Sequence, residues 1–236
     1  MSTLLAGCES KSLNRAESAG WFESKVNGLF GGLLAWGFEK KTCTPLEYVD
    51  WIEDPANGLL VKKDVGDYNF TILYKPLDYI IIKEKKDDKL KKEDLQTEKS
   101  EIEDLQYFTF KIGLKANSGD LLKYNLTKVN DYYARVEYFS FAMQNDLKLL
   151  DGNDTLNCIL HHFERTFGLA PYCNFVLGFK LSENSPGKIV THFSDKTLIY
   201  NDRVLGIGPI KLTVKGNNIK NIPKLITYGS ILNFGC

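Results

Sequence analysis

An excess of charge of either sign is missing from this chain. Across 236 residues, 30 Lys and Arg are balanced by 30 Asp and Glu, so the formal net charge is zero. A protein that neutralises phosphates needs a basic excess, which excludes nucleic acid as the main partner. No acidic block forms a disordered tail. No apolar run reaches the roughly eighteen residues of a membrane-spanning helix. There are three histidines and five cysteines, and no C-x-x-C pair, which removes zinc ribbons and thioredoxin-type chemistry. No G-x-S-x-G elbow activates a serine. Gly206-Ile207-Gly208-Pro209 lacks the third glycine and the following helix of a dinucleotide fingerprint. No fixed period marks a propeller or solenoid.

What is present is ample core material: 43% hydrophobic and 12% aromatic residues. The chain opens with a short apolar run ending in Leu5-Ala6-Gly7-Cys8. This resembles the lipobox of bacterial lipoproteins, in which small residues precede a cysteine that is cut free and acylated. The resemblance implies a residual signal peptide and lipobox over 1–8, a covalent lipid (palmitate among its acyl chains) on Cys8, and no other cofactor. More than one acyl chain gives stable membrane anchoring. Residues 9–42 follow as a tether that carries an apolar segment, Leu29–Phe38. Its Leu29, Phe30, Leu33, Leu34, Trp36 and Phe38 are the candidate partner-docking residues, because a contiguous apolar patch is seldom left without use.

The globular body is expected over 43–236. The body begins at Thr42-Cys43-Thr44-Pro45-Leu46-Glu47, where Thr44 is the N-cap, Pro45 the first helical residue, and Glu47 completes a capping box. Leu46, Val49 and Ile52 are expected on one face. Asp54-Pro55-Ala56-Asn57-Gly58 ends the helix. Strands at Leu59–Lys63 and Asp67–Tyr74 form a hairpin around Gly66. The charged stretch near 77–105 reads as one exposed helix laced with i, i+4 pairs, tolerant of substitution. Strands are then expected at 107–114, 137–150, 157–167, 174–181, 188–193, 197–200 and 210–214, with a short helix at 129–136. The fold class is α+β, mainly β: an antiparallel sandwich or barrel-like body with a few peripheral helices.

Two clusters invite chemistry. His161, His162 and His192 stand near Glu164, Arg165 and Asp195. Neighbouring strand residues face opposite ways, so His162 and Glu164 share a face and His192 joins them if its strand pairs alongside. These three are the candidate ligands of a metal-dependent hydrolase, set against the commoner case of histidines hydrogen-bonded beside a sheet, which is the reading adopted. Cys158 and Cys173, on adjacent predicted strands, are the first pair to consider for a disulfide. Their apolar surroundings favour buried free thiols. The many rings, Phe139, Phe163, Phe175 and Phe179 among them, are read as core, with a glycan- or lipid-binding face as the alternative.

Pro45-Leu46-Glu47-Tyr48, Asn57-Gly58-Leu59, Tyr74-Lys75-Pro76, Gln106-Tyr107-Phe108, His162-Phe163-Glu164-Arg165 and Gly168-Leu169-Ala170-Pro171-Tyr172 make the body similar to envelope lipoproteins of Bacteroidota. The resemblance implies an outer-membrane, lipid-anchored address, on the periplasmic or surface side, and no particular reaction. The expected function is that of a structural or assembly component acting through protein–protein contacts, with other envelope proteins or a second copy as partner and no catalytic residues.

Overall fold

The computed structural model describes residues 41–86, 91–116, 119–165, 170–181 and 193–227. A two-residue strand, β1 (Thr42–Cys43), leads into helix α1 (Pro45–Glu53). The Thr44 N–H donates to Glu47 Oε2 at 2.9 Å, and the Glu47 N–H donates to Thr44 Oγ1 at 3.4 Å, closing the expected capping box. Pro45, Tyr48, Val49 and Ile52 face the core. Leu46 was expected with them and is instead 64% exposed. Tyr48 takes that place because it lies one turn before Ile52.

The body continues through β2 (Leu60–Val65), β3 (Tyr68–Lys75), helices α2 (Leu77–Lys85) and α3 (Lys92–Ile102), and β4 (Leu105–Leu114). The charged stretch is thus two helices, a correction to the single helix expected. Among the described residues its ion pairs run between helices: Lys99 Nζ sits 2.6 Å from Asp78 Oδ1, and Lys85 pairs with Glu98. Ile81 and Ile82 from α2 and Leu95 from α3 are buried. Helix packing, which a charge count does not register, decides the arrangement.

Helix α4 (Val129–Glu137) follows, then a π-turn over Tyr138–Ala142 and a 3-10 turn over Met143–Asp146, before β5 (Leu147–Asp151). Residues 137–146 were expected as strand. Phe139 and Met143 are both fully buried and four residues apart, a helical spacing that places both on one face. Next come β6 (Asp154–Glu164), β7 (Tyr172–Lys180), β8 (Lys196–Asn201), β9 (Pro209–Val214), α5 (Gly216–Lys220) and β10 (Lys224–Leu225), which pairs in parallel with β1. The strand expected at 188–193 falls almost wholly outside the described residues.

Eight strands form one antiparallel sheet in the order β2-β3-β4-β7-β6-β5-β8-β9. The sheet curls until its end strands meet, and Lys63 Nζ of β2 reaches Lys211 O of β9 at 3.5 Å. The result is a nearly closed barrel, mainly β, with helices at its periphery. Strict alternation fills it: in β4, Phe108, Phe110 and Ile112 point inward and are fully buried. The Phe110 ring lies 6.1 Å from Phe175, its partner on the adjacent strand β7, and 5.8 Å from Tyr200 of β8. The interior is a packed core built by rings from facing strands.

Cys43, Cys158 and Cys173 are free thiols and buried. Cys158 stands opposite Phe179 in the β6–β7 ladder, whereas Cys173 lies toward the far end of β7, opposite Ile112 of β4. Six residues of extended strand separate them, far beyond disulfide reach. The buried free thiols favoured by their apolar surroundings are what the structure holds, and the disulfide considered beside them is not formed.

Candidate functional site

β6 is where the sheet turns. Asp154 to Asn157 pair with β5, and from Cys158 onward β6 pairs with β7. The β5–β6 turn is two residues long, and Gly152 occupies its first position at φ +60°, the left-handed geometry that a type II′ turn demands there. Between Cys158 and Leu160 the register shifts, leaving Ile159 as a bulge. The first half of β6 is therefore hydrogen-bonded on one edge only, among the described residues. In a hairpin closed at Asp151 and Asp154, alternate residues turn their N–H and C=O away from the partner strand. Thr155 and Asn157 present theirs to the open side.

Beside that edge lies a groove of about 480 Å³, lined by Asp154, Thr155, Leu156, Asn157, Ile159, Lys180 and Leu181. Apolar side chains flank it in the open: Ile159 is 44%, Leu160 38% and Leu181 49% exposed. The bulged strand packs closely on β7 because Gly178 has no side chain. A Cβ there would stand 2.8 Å from Leu160 Cβ and 3.2 Å from Leu105 Cδ1.

Both walls are held from below by a buried polar cluster. Gln106 Nε2 donates to Lys180 O at 3.1 Å and to Asp151 Oδ2 at 3.0 Å, tying the end of β7 to the β5–β6 hairpin. Lys196 Nζ lies 2.8 Å from Asp151 Oδ1, and Ser194 Oγ donates to the same oxygen. Burial by itself would raise the Asp151 carboxyl, but hydrogen bonds from Lys196, Ser194 and Gln106 outweigh it and hold the group below the usual aspartate range. Burial lowers the Lys196 ammonium, with Asp151 opposing the shift. The buried cluster thus ties β4, β5, β7 and β8 together beneath the groove.

The cysteines and histidines singled out in the sequence do not line the groove among the described residues. Burial pushes the Cys158 and Cys173 thiols up to about 12, which keeps them protonated. His162 and Glu164 share the outer face of β6, as their spacing predicts, and both are exposed. Glu164 accepts from Asn174 Nδ2. His161 turns the other way and stacks on Phe175 at 5.6 Å. His192, the third candidate ligand, lies outside the described residues. So do Cys8 and the docking candidates Leu29, Phe30, Leu33, Leu34, Trp36 and Phe38. No group of three His, Cys, Asp or Glu converges on a metal site among the described residues. What the groove offers is backbone hydrogen bonding and apolar contact, the requirements of strand addition. Sequence reasoning missed Ile159, Leu160 and Leu181. The signal was there in adjacent Ile159-Leu160, which breaks the period of two and marks a bulge.

Compared with known proteins, the chain matches no family model, no curated protein and no solved structure.

Proposed function

We propose that this protein is a lipid-anchored envelope component that holds or assembles other proteins, and that the open edge of β6 is where it grips them. The observation that carries the reading is the backbone of Thr155 and Asn157, without a strand partner on that side among the described residues, beside exposed Ile159 and Leu181. An extended segment of a partner adds there as a strand: its main chain pairs with β6, and alternate side chains enter the groove. The anchoring half of the proposal rests on Leu5-Ala6-Gly7-Cys8. An anchor there would hold the body at an outer-membrane surface, where partners share two dimensions and modest contacts suffice.

Two measurements test this. A photo-cross-linking residue at position 157 of the full chain, in its native membrane, yields a discrete adduct; one at Lys62 on β2 does not. Thr155→Pro, which removes an N–H from the open edge, abolishes the adduct while circular dichroism stays unchanged. Equal cross-linking from both positions overturns the groove. Separately, intact mass of native protein begins at Cys8 with added lipid; an unmodified Met1 overturns the anchor.

A further inference from the structure

The outer face of the barrel beside the groove is basic. β5, β8 and β9 turn Lys148, Leu150, Thr197, Ile199, Lys211 and Thr213 outward, and the residues that alternate with them are buried. No carboxylate stands among the six, in a chain whose 30 basic and 30 acidic residues balance. The register lines up one row across this face: Asn157 of β6 stands opposite Lys148, Lys148 opposite Ile199, and Ile199 opposite Lys211. Lys148 Nζ donates to Asn157 Oδ1. On the other side Lys180, exposed at the end of β7, comes level with Asn157, because its neighbour Phe179 pairs with Cys158. Asn157 thus lies between two lysines. Lys148, Lys180 and Lys211 are in no ion pair among the described residues. Acids that border this face are engaged elsewhere. Asp151 is buried against Lys196, Asp195 pairs with Lys215, and Asp202 accepts the N–H groups of Val204, Leu205 and Ile207. Asp154 is the acid in the groove lining. It stands at the turn end, three extended residues or about 10 Å from Asn157. The groove is therefore acidic at one end and basic at the other.

We propose that the segment β6 takes up is acidic: an extended stretch of a partner protein that sets an Asp or Glu side chain beside Asn157, between Lys148 and Lys180. This rests on the strand-addition reading and names the partner's chemistry. Paired residues in a sheet point to the same face. A carboxylate paired with Asn157 therefore points outward with it, onto the face where both lysines lie. The partner residue two further along stands opposite Thr155, beside Asp154, where a second acid is repelled. Lys211, two strands beyond Lys148 or about 10 Å along the same row, extends the positive field, which speeds encounter more than it tightens the complex. The backbone selects a peptide over other polyanions, since the N–H and C=O of Asn157 have no strand partner on the open side among the described residues.

The test follows the adduct formed from a photo-cross-linking residue at position 157 of the full chain in its native membrane. Lys148→Glu with Lys180→Glu lowers its yield at least about tenfold, with an unchanged circular dichroism spectrum, and Lys148→Arg with Lys180→Arg keeps it. Lys92→Glu with Lys128→Glu, which alters the net charge equally elsewhere, leaves the yield unchanged. Raising salt from about 50 to about 500 mM lowers the yield with both lysines present and not after both reversals. Peptide mass mapping finds an Asp or Glu within about two residues of the captured site. An adduct that persists through both reversals, or a captured segment without an acid there, overturns this inference and leaves strand addition standing. Anionic phospholipid vesicles that bind the Cys8→Ser chain and release it on the two reversals, with the adduct intact, assign the lysines to a lipid surface and overturn it as well. If position 157 gives no discrete adduct with both lysines present, the strand-addition reading itself fails and this inference falls with it.

Discussion

Asp151 and Lys196 face each other directly across the β5–β8 ladder, and their charged atoms lie 2.8 Å apart with 4% and 5% of the side chains exposed. The sheet register itself makes this ion pair, and the pair closes the end of the barrel under the groove. Burying two charges is costly, and each is tolerated only because the other is there. Asp151→Ala strands the Lys196 ammonium and leaves Gln106 and Ser194 without their acceptor. The expected loss is about 3–5 kcal/mol, the usual penalty for breaking a buried pair. Asp151→Asn with Lys196→Met, which removes both charges and nearly keeps volume, costs less than Asp151→Ala alone. Urea unfolding of the wild type and the two variants decides it; a double variant no more stable than Asp151→Ala defeats the account.

His161 makes the stability of the protein pH-dependent in one direction. Burial, and secondarily the neighbouring His162, lowers its pKa from the ordinary 6.5. Its Nε2 is buried without a hydrogen-bond partner, and its ring stacks on Phe175. The unfolded chain therefore takes up a proton before the folded one does. The contribution is fully present above pH about 6.5 and is lost as pH falls through the folded value. The urea midpoint is expected to fall between pH 7.5 and 5.5, and the fall is smaller in His161→Phe. Equal slopes in both proteins would show that other groups carry the effect.

Thr44→Ala is expected to cost about 1 kcal/mol, the usual value of an N-cap, read from the shift in denaturation midpoint at constant slope. A shift within error would mean that packing of Tyr48 and Ile52 alone holds α1. This feature was legible because both halves of the box lie within four residues of sequence. The β2–β3 hairpin was legible for the same reason, with Gly66 between two alternating runs. The groove was not. It exists because β6 changes neighbours midway, from β5 to β7, and a pairing choice of that kind is made by distant strands. The 137–146 stretch misled in another way. Tyr138, Ser140 and Ala142 alternate with rings much as a strand does, while the i, i+4 match of Phe139 and Met143 is what the core uses.

Gly216 is expected to be far less replaceable than Gly206. It is buried where α5 begins, and a Cβ added to it would fall 1.6 Å from Phe193 O and 2.4 Å from Phe193 C. Those are backbone atoms, which cannot swing aside as a side chain does. The segment that must move also carries Ser194, bonded to Asp151, and Asp195, which accepts the Gly216 N–H at 2.9 Å and pairs with Lys215 at 2.8 Å. Displacing it therefore loosens the polar cluster under the groove as well. Gly216→Ala is expected to cost about 3 kcal/mol or more, at or beyond the upper end of overpacking. At Gly206 nothing lies within 4 Å of the added atom, and only its φ of +76° opposes a side chain. Gly206→Ala should then cost about 1–2 kcal/mol, the left-handed penalty alone. Thermal unfolding of the two variants gives the order; a milder effect at Gly216 than at Gly206 would show that the 193–195 segment yields freely.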